Sequence, residues 1–367
     1  MAGAGSIFES TIFKGEASPV NRFELENVKV VSYGVGVIGR RLAEYILSKK
    51  GLEIVGAVDV DPNKVGRDLG ELLGRKKMGV IVSDNVDQVL SSTKPDVVMH
   101  TTVSYLRDAY DQFVGILNNG VDCVSTCEEL SYPYDTKEGA DYAAKLDALA
   151  KRKKATLLGT GINPGFLMDT LPITLTGVCT RVDNVYITRQ MNAATRRVPF
   201  QTKIGAGLAV EEFKRKIRSH EITGHVGLEQ SIKMISDALG WDVDQIKVET
   251  PEPVVLGKNV ASDAIKVPKG HNAGTKQKAY GIKGGKALIT MDFRAYIGAP
   301  EEFDSVVVEG EPPIKQRISP CVHGDFGTIA IAANMIPHVI NSEPGFKTMK
   351  DLPIPHATPE HMRKYIK

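Results

Sequence analysis

Apolar residues in the first half of the chain follow two patterns in turn. Continuous aliphatic and β-branched runs are typical of strands that are buried on both faces. Such runs occupy residues 27–34, 52–61, 79–84, 95–102, 121–126 and 155–161. Between them, apolar residues recur at helical spacing in residues 37–50, 68–74, 105–120 and 135–154. This alternation predicts a doubly wound α/β unit of the Rossmann type, a parallel sheet covered by helices on both faces.

The pattern changes after about residue 165. Helical stretches at 209–218 and 225–239 are followed by long segments in which apolar and polar residues alternate, as in strands with one buried face. The alternating segments lie around residues 246–256, 276–282, 286–296 and 305–308, and a final apolar helix is expected within residues 326–345. We therefore expect a second, α+β domain with a mostly antiparallel sheet.

Composition narrows the class of protein. The chain has 367 residues, 42% hydrophobic and 25% charged, as in a globular protein of about two domains. Its 46 Lys and Arg residues nearly balance 44 Asp and Glu residues, which argues against a nucleic-acid partner. No apolar run approaches the length of a membrane span, and no secretory signal is recognisable. Four cysteines without metal-ligand spacing predict reduced thiols in the cytoplasm and no metal site.

A glycine-rich motif follows the first predicted strand directly. Gly34, Gly36 and Gly39 form the pattern G-x-G-x-x-G at the start of a helix. The first glycine permits a tight turn, the second admits a pyrophosphate, and the third lets helix and strand pack closely. The free N–H groups of such a helix start bind phosphates. We therefore expect a dinucleotide to contact this loop, including the intervening Val37 and Ile38.

The second predicted strand supplies the coenzyme's ribose contact. Asp59 lies 20 residues after Gly39, where a carboxylate bonds a ribose hydroxyl and favours NAD. Three nearby bases, Arg40, Lys64 and Arg67, would instead hold the 2′-phosphate of NADP. Both NAD and NADP are therefore expected to be usable.

Three further strand ends are expected to carry the chemistry, because ligands of doubly wound sheets bind beyond the carboxyl ends of the strands. The first supplies Thr101 and Thr102 beside the coenzyme. The second ends in the sequence STCEELSYPY, where Glu128 and Glu129 emerge beside Tyr134, and a carboxylate there would bind an ammonium group or act as acid and base. The third, GTGINPGF, is a tight loop expected to open a helix at Phe166. Asn163 is expected at the nicotinamide and the substrate pocket, and Phe166 at the substrate pocket.

At this point the chain resembles a known family. The segments SYGVGVIGRRLAEYI, STCEELSYPY and LLGTGINPGFLMDTLPITLTG are similar to those of 2,4-diaminopentanoate dehydrogenases and related native amine dehydrogenases, whose N-terminal domain is like that of dihydrodipicolinate reductase. The resemblance covers about residues 27–355. It implies NAD(P)-dependent oxidative deamination of a small amine or diamine, and reductive amination of a ketone by ammonia in reverse. Its catalytic carboxylate corresponds to Glu128. Tyr134 stands where the family often has Trp, which alters the expected pocket shape.

These expectations divide the chain into parts. Residues 1–26 are expected to be an N-terminal extension, residues 27–165 the dinucleotide-binding domain, and residues 166–321 the substrate-binding domain, which also forms a homodimer through its sheet. The segment of about 322–367 is expected to return to the first domain. From the second domain, His225 and His271 are expected to line the substrate pocket.

Several alternatives remain open at the level of sequence. Asp325 is interpreted as a helix N-cap, and the Arg196–Arg197 pair as a solvated edge in preference to an anion site. Cys127 would serve a rival mechanism, that of an acylating aldehyde dehydrogenase. A dinucleotide-binding redox sensor without turnover is a third possibility. Dihydrodipicolinate reductase itself is disfavoured, because no adjacent histidines occur.

Overall fold

The computed structural model describes residues 25–367, and these contain two seven-stranded sheets. The predicted N-terminal extension lies outside the described residues except for its last two positions. No helix between residues 25 and 367 is both long and apolar enough to cross a membrane.

The first sheet is parallel, as the strand pattern predicts. Its first six strands are β1 (Val28–Tyr33), β2 (Leu52–Val58), β3 (Val82–Ser83), β4 (Val97–His100), β5 (Asp122–Ser125) and β6 (Thr156–Gly159). The connecting helices are α1 (Val37–Ser48), α2 (Leu69–Leu72), α3 (Val86–Thr93), α4 (Leu106–Asn118) and α5 (Lys137–Lys153). Two separate clusters of buried apolar residues involve this sheet. The predicted Rossmann-type sheet is therefore confirmed.

The second sheet is mostly antiparallel. Its strands are β7 (Arg181–Asn192), β8 (Gln245–Val248), β9 (Glu252–Val255), β12 (Asn272–Lys283), β13 (Lys286–Tyr296), β14 (Phe303–Glu311) and β15 (Ile314–Ile318). A separate pair is formed by β10 (Val260–Ala261) and β11 (Lys266–Val267). The strand order is β15-β14-β7-β13-β12-β8, with β9 also paired to β12, and only β7 and β13 run parallel. The α+β character predicted for this region is confirmed.

Four helices accompany the second sheet. They are α6 (Thr170–Thr176), α7 (Val198–Lys203), α8 (Val210–Arg218) and α9 (Leu228–Ala238). Helix α9 packs against β8, β12 and β13. The helix expected to open at Phe166 begins instead at Thr170, because the preceding residues form turns and the buried Asp169 caps α6.

The C-terminal segment returns to the first sheet. It forms α10 (Gly324–Asn334), α11 (Ile336–Ile340) and β16 (Gly345–Lys347). Strand β16 pairs in parallel with β6, which completes the order β16-β6-β5-β4-β1-β2-β3. The single helix expected over 326–345 is two helices, because Pro337 lacks the N–H that a continuous helix needs and stands in the first turn of α11. The domain boundaries themselves stay predictions.

Candidate active site

The three motif glycines meet different steric demands. Gly34 has a φ of 95°, and a Cβ there would lie 2.5 Å from the carbonyl oxygen of Thr101. A Cβ on Gly39 would lie 1.8 Å from the carbonyl oxygen of Gly34. Around Gly36, by contrast, a Cβ would meet no described atom within 4 Å. The loop is therefore tight at both ends and open in the middle, at the N-terminus of α1, and this shape fits a pyrophosphate.

Asp59 follows β2 and is fixed by several hydrogen bonds. Its Oδ2 accepts from the backbone N–H of Val35 at 2.7 Å and from Nζ of Lys64 at 3.0 Å, and its Oδ1 accepts from the N–H of Asp61 at 2.9 Å. Burial raises the pKa of Asp59, but the hydrogen bonds outweigh burial and hold the pKa below its usual value. The carboxylate is thus ionised and paired with Lys64.

The other two predicted bases lie at the surface. Arg40 and Arg67 are both exposed, and Nη1 of Arg67 approaches only the carbonyl oxygen of Asn63, at 3.5 Å. Lys64 is therefore the base that the structure places on the Asp59 carboxylate.

A cavity of about 380 Å³ connects the glycine loop with the second sheet. Eight of the residues predicted for the site line it: Gly36, Val37, Ile38, Thr101, Thr102, Glu128, Asn163 and His225. They come from the ends of four strands of the first sheet and from the segment before α9. The cavity thus unites the predicted phosphate loop with the predicted catalytic carboxylate.

Glu128 and Glu129 point to different surroundings. Glu128 lines the cavity, and its carboxylate accepts no hydrogen bond from any described residue. Glu129 accepts a 2.7 Å hydrogen bond from the backbone N–H of Leu106, at the start of α4, and lines a separate cavity of about 260 Å³. Burial raises the pKa of Glu129. The substrate-binding role expected for Glu129 does not fit this placement, whereas Glu128 is free to meet a ligand.

Asn163 and His225 join the two sheets across the cavity. Nδ2 of Asn163 donates to Nε2 of His225 at 2.6 Å, and the imidazole stacks on the Phe293 ring with centroids 4.3 Å apart. Burial lowers the pKa of His225 to about 3, helped by the charges of Lys203 and Arg189. The imidazole is therefore neutral at ordinary pH and accepts at Nε2. Oδ1 of Asn163 is buried and has no hydrogen-bond partner among residues 25–367.

The loop that carries Asn163 is anchored from behind. The fully buried Asp169 accepts from the N–H of Gly165 at 2.8 Å and from Oγ of Ser231, in α9, at 2.7 Å. These bonds tie the end of the first sheet to the second sheet's helix, so the position of Asn163 is fixed by both parts of the chain.

Three residues expected at the substrate pocket do not line the cavity. Tyr134 is partly exposed and lies edge-on to Tyr132. Phe166 packs against the apolar cores, and His271 stands in the loop before β12. Their predicted contact with substrate is therefore not supported by their placement.

Two basic residues of the cavity wall, Arg189 and Lys203, were missed from sequence, and two others, Arg196 and Arg197, were assigned to a solvated edge. All four line the cavity. The interpretation of Arg196 as part of a solvated edge is wrong, because its side chain is 8% exposed and bonds Asp325 at 2.7 Å. Asp325 is not the N-cap of α10 either, since that position belongs to His323. The arginine doublet was the available signal, but nothing local in the sequence indicates its partner, 129 residues away.

Cys127 is poorly suited to nucleophilic chemistry. Its side chain is 1% exposed and donates to the carbonyl oxygen of Ser104 at 3.3 Å. Burial raises the pKa of this thiol far above its usual value, so the reactive thiolate is not formed. The alternative of an acylating aldehyde dehydrogenase is not supported.

Comparisons with known proteins agree with this geometry. Residues 166–367 match the family model of the 2,4-diaminopentanoate dehydrogenase C-terminal domain, and residues 28–125 match that of the dihydrodipicolinate reductase N-terminus. The 2,4-diaminopentanoate dehydrogenase of Acetoanaerobium sticklandii is 35% identical over 361 residues, which cover 93% of this chain and 98% of that protein. An amine dehydrogenase of Streptomyces virginiae is 24% identical over 89% of this chain and 96% of its own length. The solved structure of an amine dehydrogenase from Mycobacterium smegmatis superposes with a TM-score of 0.79 and 30% identity, covering 91% of this chain and 98% of that one.

The fold, the cavity and these relatives define an NAD(P)-dependent oxidoreductase that acts on CH–NH2 groups. It catalyses the oxidative deamination of an amine to a carbonyl compound and ammonia, and the reverse reductive amination. The chain belongs to the 2,4-diaminopentanoate dehydrogenase family.

Proposed function

We propose that the substrate is a small amine that also carries a carboxylate, and that Glu128 is the catalytic residue. The observation that carries this proposal is the Glu128 carboxylate, unbonded by described residues, on the same cavity as the coenzyme loop. The relative from Acetoanaerobium sticklandii is named for 2,4-diaminopentanoate, a compound with two amino groups and one carboxylate. Glu128 complements an ammonium group of such a compound.

The placement of Lys203 supports the proposal that the substrate carries a carboxylate. Lys203 lines the cavity close enough to His225 to lower that pKa, and no carboxylate of residues 25–367 forms an ion pair with it. A lysine on the cavity wall without a carboxylate partner among the described residues is available to pair with an anionic group of a ligand. Glu128 and Lys203 thus offer opposite charges on one cavity for a substrate with opposite charges at its two ends.

The reaction assigns several tasks to the residues of the cavity. The nicotinamide coenzyme supplies the hydride acceptor, and the glycine loop binds its pyrophosphate. Glu128 takes a proton from the substrate ammonium, so that the nitrogen lone pair assists departure of the hydride from the neighbouring carbon. Glu128 passes this proton to solvent, and the carboxylate so restored stabilises the positive iminium and accepts a proton from the water that attacks it. Glu128 then gives that proton to the amino nitrogen of the carbinolamine, ammonia leaves as the carbonyl group forms, and the reverse sequence is reductive amination.

Asn163 serves as a positioning residue in this scheme. Its amide nitrogen is held by neutral His225, so its unpartnered Oδ1 is available to accept a hydrogen bond from an N–H in the cavity. A coenzyme carboxamide and a substrate amine both present such a group. A buried acceptor that gains its partner only with ligand bound favours the bound state, because the unmet hydrogen bond costs about 1–3 kcal/mol in its absence.

Both NAD and NADP are proposed as coenzymes. Asp59 would bond the ribose hydroxyl of NAD, and Lys64, already on the Asp59 carboxylate at 3.0 Å, would offset the repulsion that Asp59 exerts on the 2′-phosphate of NADP. Thr101 supports the site by a 2.9 Å hydrogen bond from its hydroxyl to the carbonyl oxygen of Gly34.

The second sheet is proposed to form a homodimer. Helix α9 packs against its inner face, whereas the outward positions of adjacent strands include Tyr186, Thr188, Thr290 and Val307. These four side chains are uncharged, and the ion pair of Asp292 and Arg294 lies beside them on the same face. A broad sheet face of this kind is proposed to pack on a second copy. Light scattering of Val307→Glu checks this interface, and a dimer that persists in the variant would argue against it.

We also propose a cytoplasmic location, because the four described cysteines are all free thiols.

The Glu128→Gln variant tests the catalytic assignment. It keeps the size of the side chain and removes the proton acceptor. We expect amine oxidation to fall by at least about 100-fold, as for the loss of a general base, while NADPH still binds with its wild-type Kd in a fluorescence titration. Glu138→Gln, on the surface of α5, is the matched control. Turnover that persists in Glu128→Gln, with coenzyme binding intact, would refute the mechanism.

A further inference from the structure

Three arginines share one carboxylate beside the coenzyme loop. Asp325 accepts from Nη1 of Arg41 at 2.9 Å, from Nη2 of Arg196 at 2.7 Å and from Nε of Arg197 at 3.4 Å. The Asp325 side chain is 2% exposed. Burial raises the pKa of Asp325, but the arginines outweigh burial and hold it below its usual value, so this carboxylate is ionised. This group of four residues, Arg41, Arg196, Arg197 and Asp325, therefore carries three positive charges and one negative charge. Two of its positive charges are not neutralised within the group.

The group draws on three separate parts of the chain. Arg41 lies in the second turn of α1, directly after the glycine loop, and Asp325 lies in the first turn of α10, which packs on α1. Arg196 and Arg197 follow β7 of the second sheet. Asp325 thus holds two guanidinium groups of the second sheet's segment close to the helix whose N-terminus faces the coenzyme.

The arginines face the same cavity as the phosphate loop. Arg196, Arg197, Gly324 and Asp325 line it together with the loop residues 36–38. The Arg196 guanidinium packs on the backbone of Gly324, where a Cβ would come within 2.7 Å of Nη2. Nε of Arg196 is buried and has no acceptor anywhere in the described part of the chain. A buried, charged donor without an acceptor, in a group with excess positive charge, indicates that an anion belongs there.

We propose that Arg196 and Arg197 bind the pyrophosphate of the coenzyme, and that Asp325 holds them in position for it. A pyrophosphate carries two negative charges, which match the excess of the group. The N-terminus of α1 alone offers N–H groups and a positive partial charge of about one half, which is less than the charge of the pyrophosphate. Residues of the second sheet's segment therefore take part in coenzyme binding, and the bound coenzyme ties this segment to the first sheet.

The substrate carboxylate is the competing ligand for these arginines, and a purely structural ion cluster is the other alternative. The proposal assigns the carboxylate to Lys203 instead, whose charge acts on His225, whereas Arg196 and Arg197 are bound to Asp325. Ligands that contain a pyrophosphate but no nicotinamide and no substrate separate the three cases, because they bind in the absence of turnover.

Arg197→Gln is the variant of choice, since its side chain is 28% exposed and its loss leaves little buried space. Arg215→Gln is the matched control. Arg215 lies in α8, away from the cavity, and its side chain is 54% exposed and paired with Glu221. Binding of NADPH is followed by its fluorescence, and ADP-ribose and ADP are measured by competition.

We expect Kd to rise about tenfold for NADPH, ADP-ribose and ADP alike in Arg197→Gln, the effect of losing one charge-assisted hydrogen bond. We also expect the dependence of Kd on salt concentration to weaken, because one charge contact is lost. Arg196→Lys, which keeps the charge but loses the planar fork, should show the same loss for all three ligands. Unchanged Kd values with a raised KM for the amine would assign the arginines to substrate and overturn the proposal. Unchanged Kd values with only a lower Tm would reduce the group to a structural cluster and overturn it equally.

Discussion

Nδ2 of Asn163 and Nε2 of His225 lie 2.6 Å apart, and this hydrogen bond crosses from the last loop of the first sheet to the segment before α9. Because the pKa of His225 is lowered to about 3 by burial and by Lys203 and Arg189, the imidazole accepts this bond as a neutral group. The bond fixes which way the Asn163 amide faces, and leaves its Oδ1 for a ligand.

If Asn163 and His225 act as a unit, their substitutions will not be additive. We expect Asn163→Ala and His225→Ala each to lower kcat/KM by about 10- to 100-fold, while the double variant falls little further than the worse single variant. The pair Asn163 and Glu129 serves as the comparison, since Glu129 lies outside the cavity. Additive losses at Asn163 and His225 would show that the hydrogen bond has no part in positioning.

The role of Lys203 separates substrates with and without a carboxylate. We expect Lys203→Gln to raise KM for 2,4-diaminopentanoate about tenfold, because one charge-assisted contact is lost. KM for an amine without a carboxylate, such as butan-2-amine, should stay within about twofold, since such an amine makes no charge contact with Lys203. Lys214→Gln, in α8 and paired with Glu211, provides the control. An equal loss for both amines would mean that Lys203 does not recognise the carboxylate.

The proposed use of both NAD and NADP predicts that the Asp59–Lys64 pair governs the affinity for each coenzyme. In Lys64→Gln the Asp59 carboxylate loses its counter-charge and faces the 2′-phosphate of NADP directly. We expect Kd for NADPH to rise about tenfold and Kd for NADH to change by less than about threefold. Fluorescence titration with both coenzymes measures this, with Lys77→Gln on the neighbouring surface as control. Equal effects on both coenzymes would place Lys64 away from the 2′-phosphate.

His100 makes stability depend on pH. It is fully buried between Oγ of Ser125 and Oε1 of Gln112, at 2.8 Å each, and burial lowers its pKa to about 4 from 6.5. Between about pH 6.5 and pH 4, therefore, His100 is protonated in the unfolded chain but remains neutral in the folded protein. The contribution of His100 to the free energy of unfolding is complete above pH 6.5 and is lost as the pH falls towards 4. At about 1.4 kcal/mol per pH unit, this loss is about 3 kcal/mol.

Urea unfolding of His100→Asn at pH 7 and pH 4.5 measures this contribution. The variant loses hydrogen bonds and is less stable at pH 7, but its free energy of unfolding should fall less between the two pH values than that of the wild type. His220→Asn, at an exposed histidine, should follow the wild-type curve. Parallel curves for His100→Asn and wild type would mean that His100 does not resist protonation.

The features predicted from sequence are those with a local signature. The loop from Gly34 to Gly39 is contiguous, its two outer glycines have steric reasons that any chain with this turn shares, and Gly36 leaves the middle of the loop open. Strand β7 escaped prediction, although it is central to the second sheet, because Arg189 occupies an inward position where an apolar residue is expected. Its buried side chain is satisfied by distant partners: Asp304, 115 residues later, accepts a 2.6 Å hydrogen bond from it, and the carbonyl oxygen of Val322 accepts another at 2.7 Å.

The same limit applies to the cavity wall. The pair Glu128 and Glu129 was identifiable because it follows a buried strand, and the family resemblance selected Glu128. The separation of the two side chains depends on the position of Leu106 in another element. Arg196 and Lys203 acquire their roles from the first sheet's residues across the cavity, which no spacing along the chain encodes. Phe166 and Tyr134 were misplaced for the corresponding reason: they are close in sequence to the site residues, yet their side chains pack into the protein interior or on neighbouring rings.

The segment that builds the second sheet leaves the first sheet after β6 and comes back just before α10. The two crossings touch, because the N–H of Ile162, on the outgoing one, donates to Oγ1 of Thr328, in α10, at 3.4 Å. A substitution in either crossing therefore acts at once on Asn163, on the outgoing crossing, and on Asp325, near the incoming crossing, and so on both sides of the coenzyme loop.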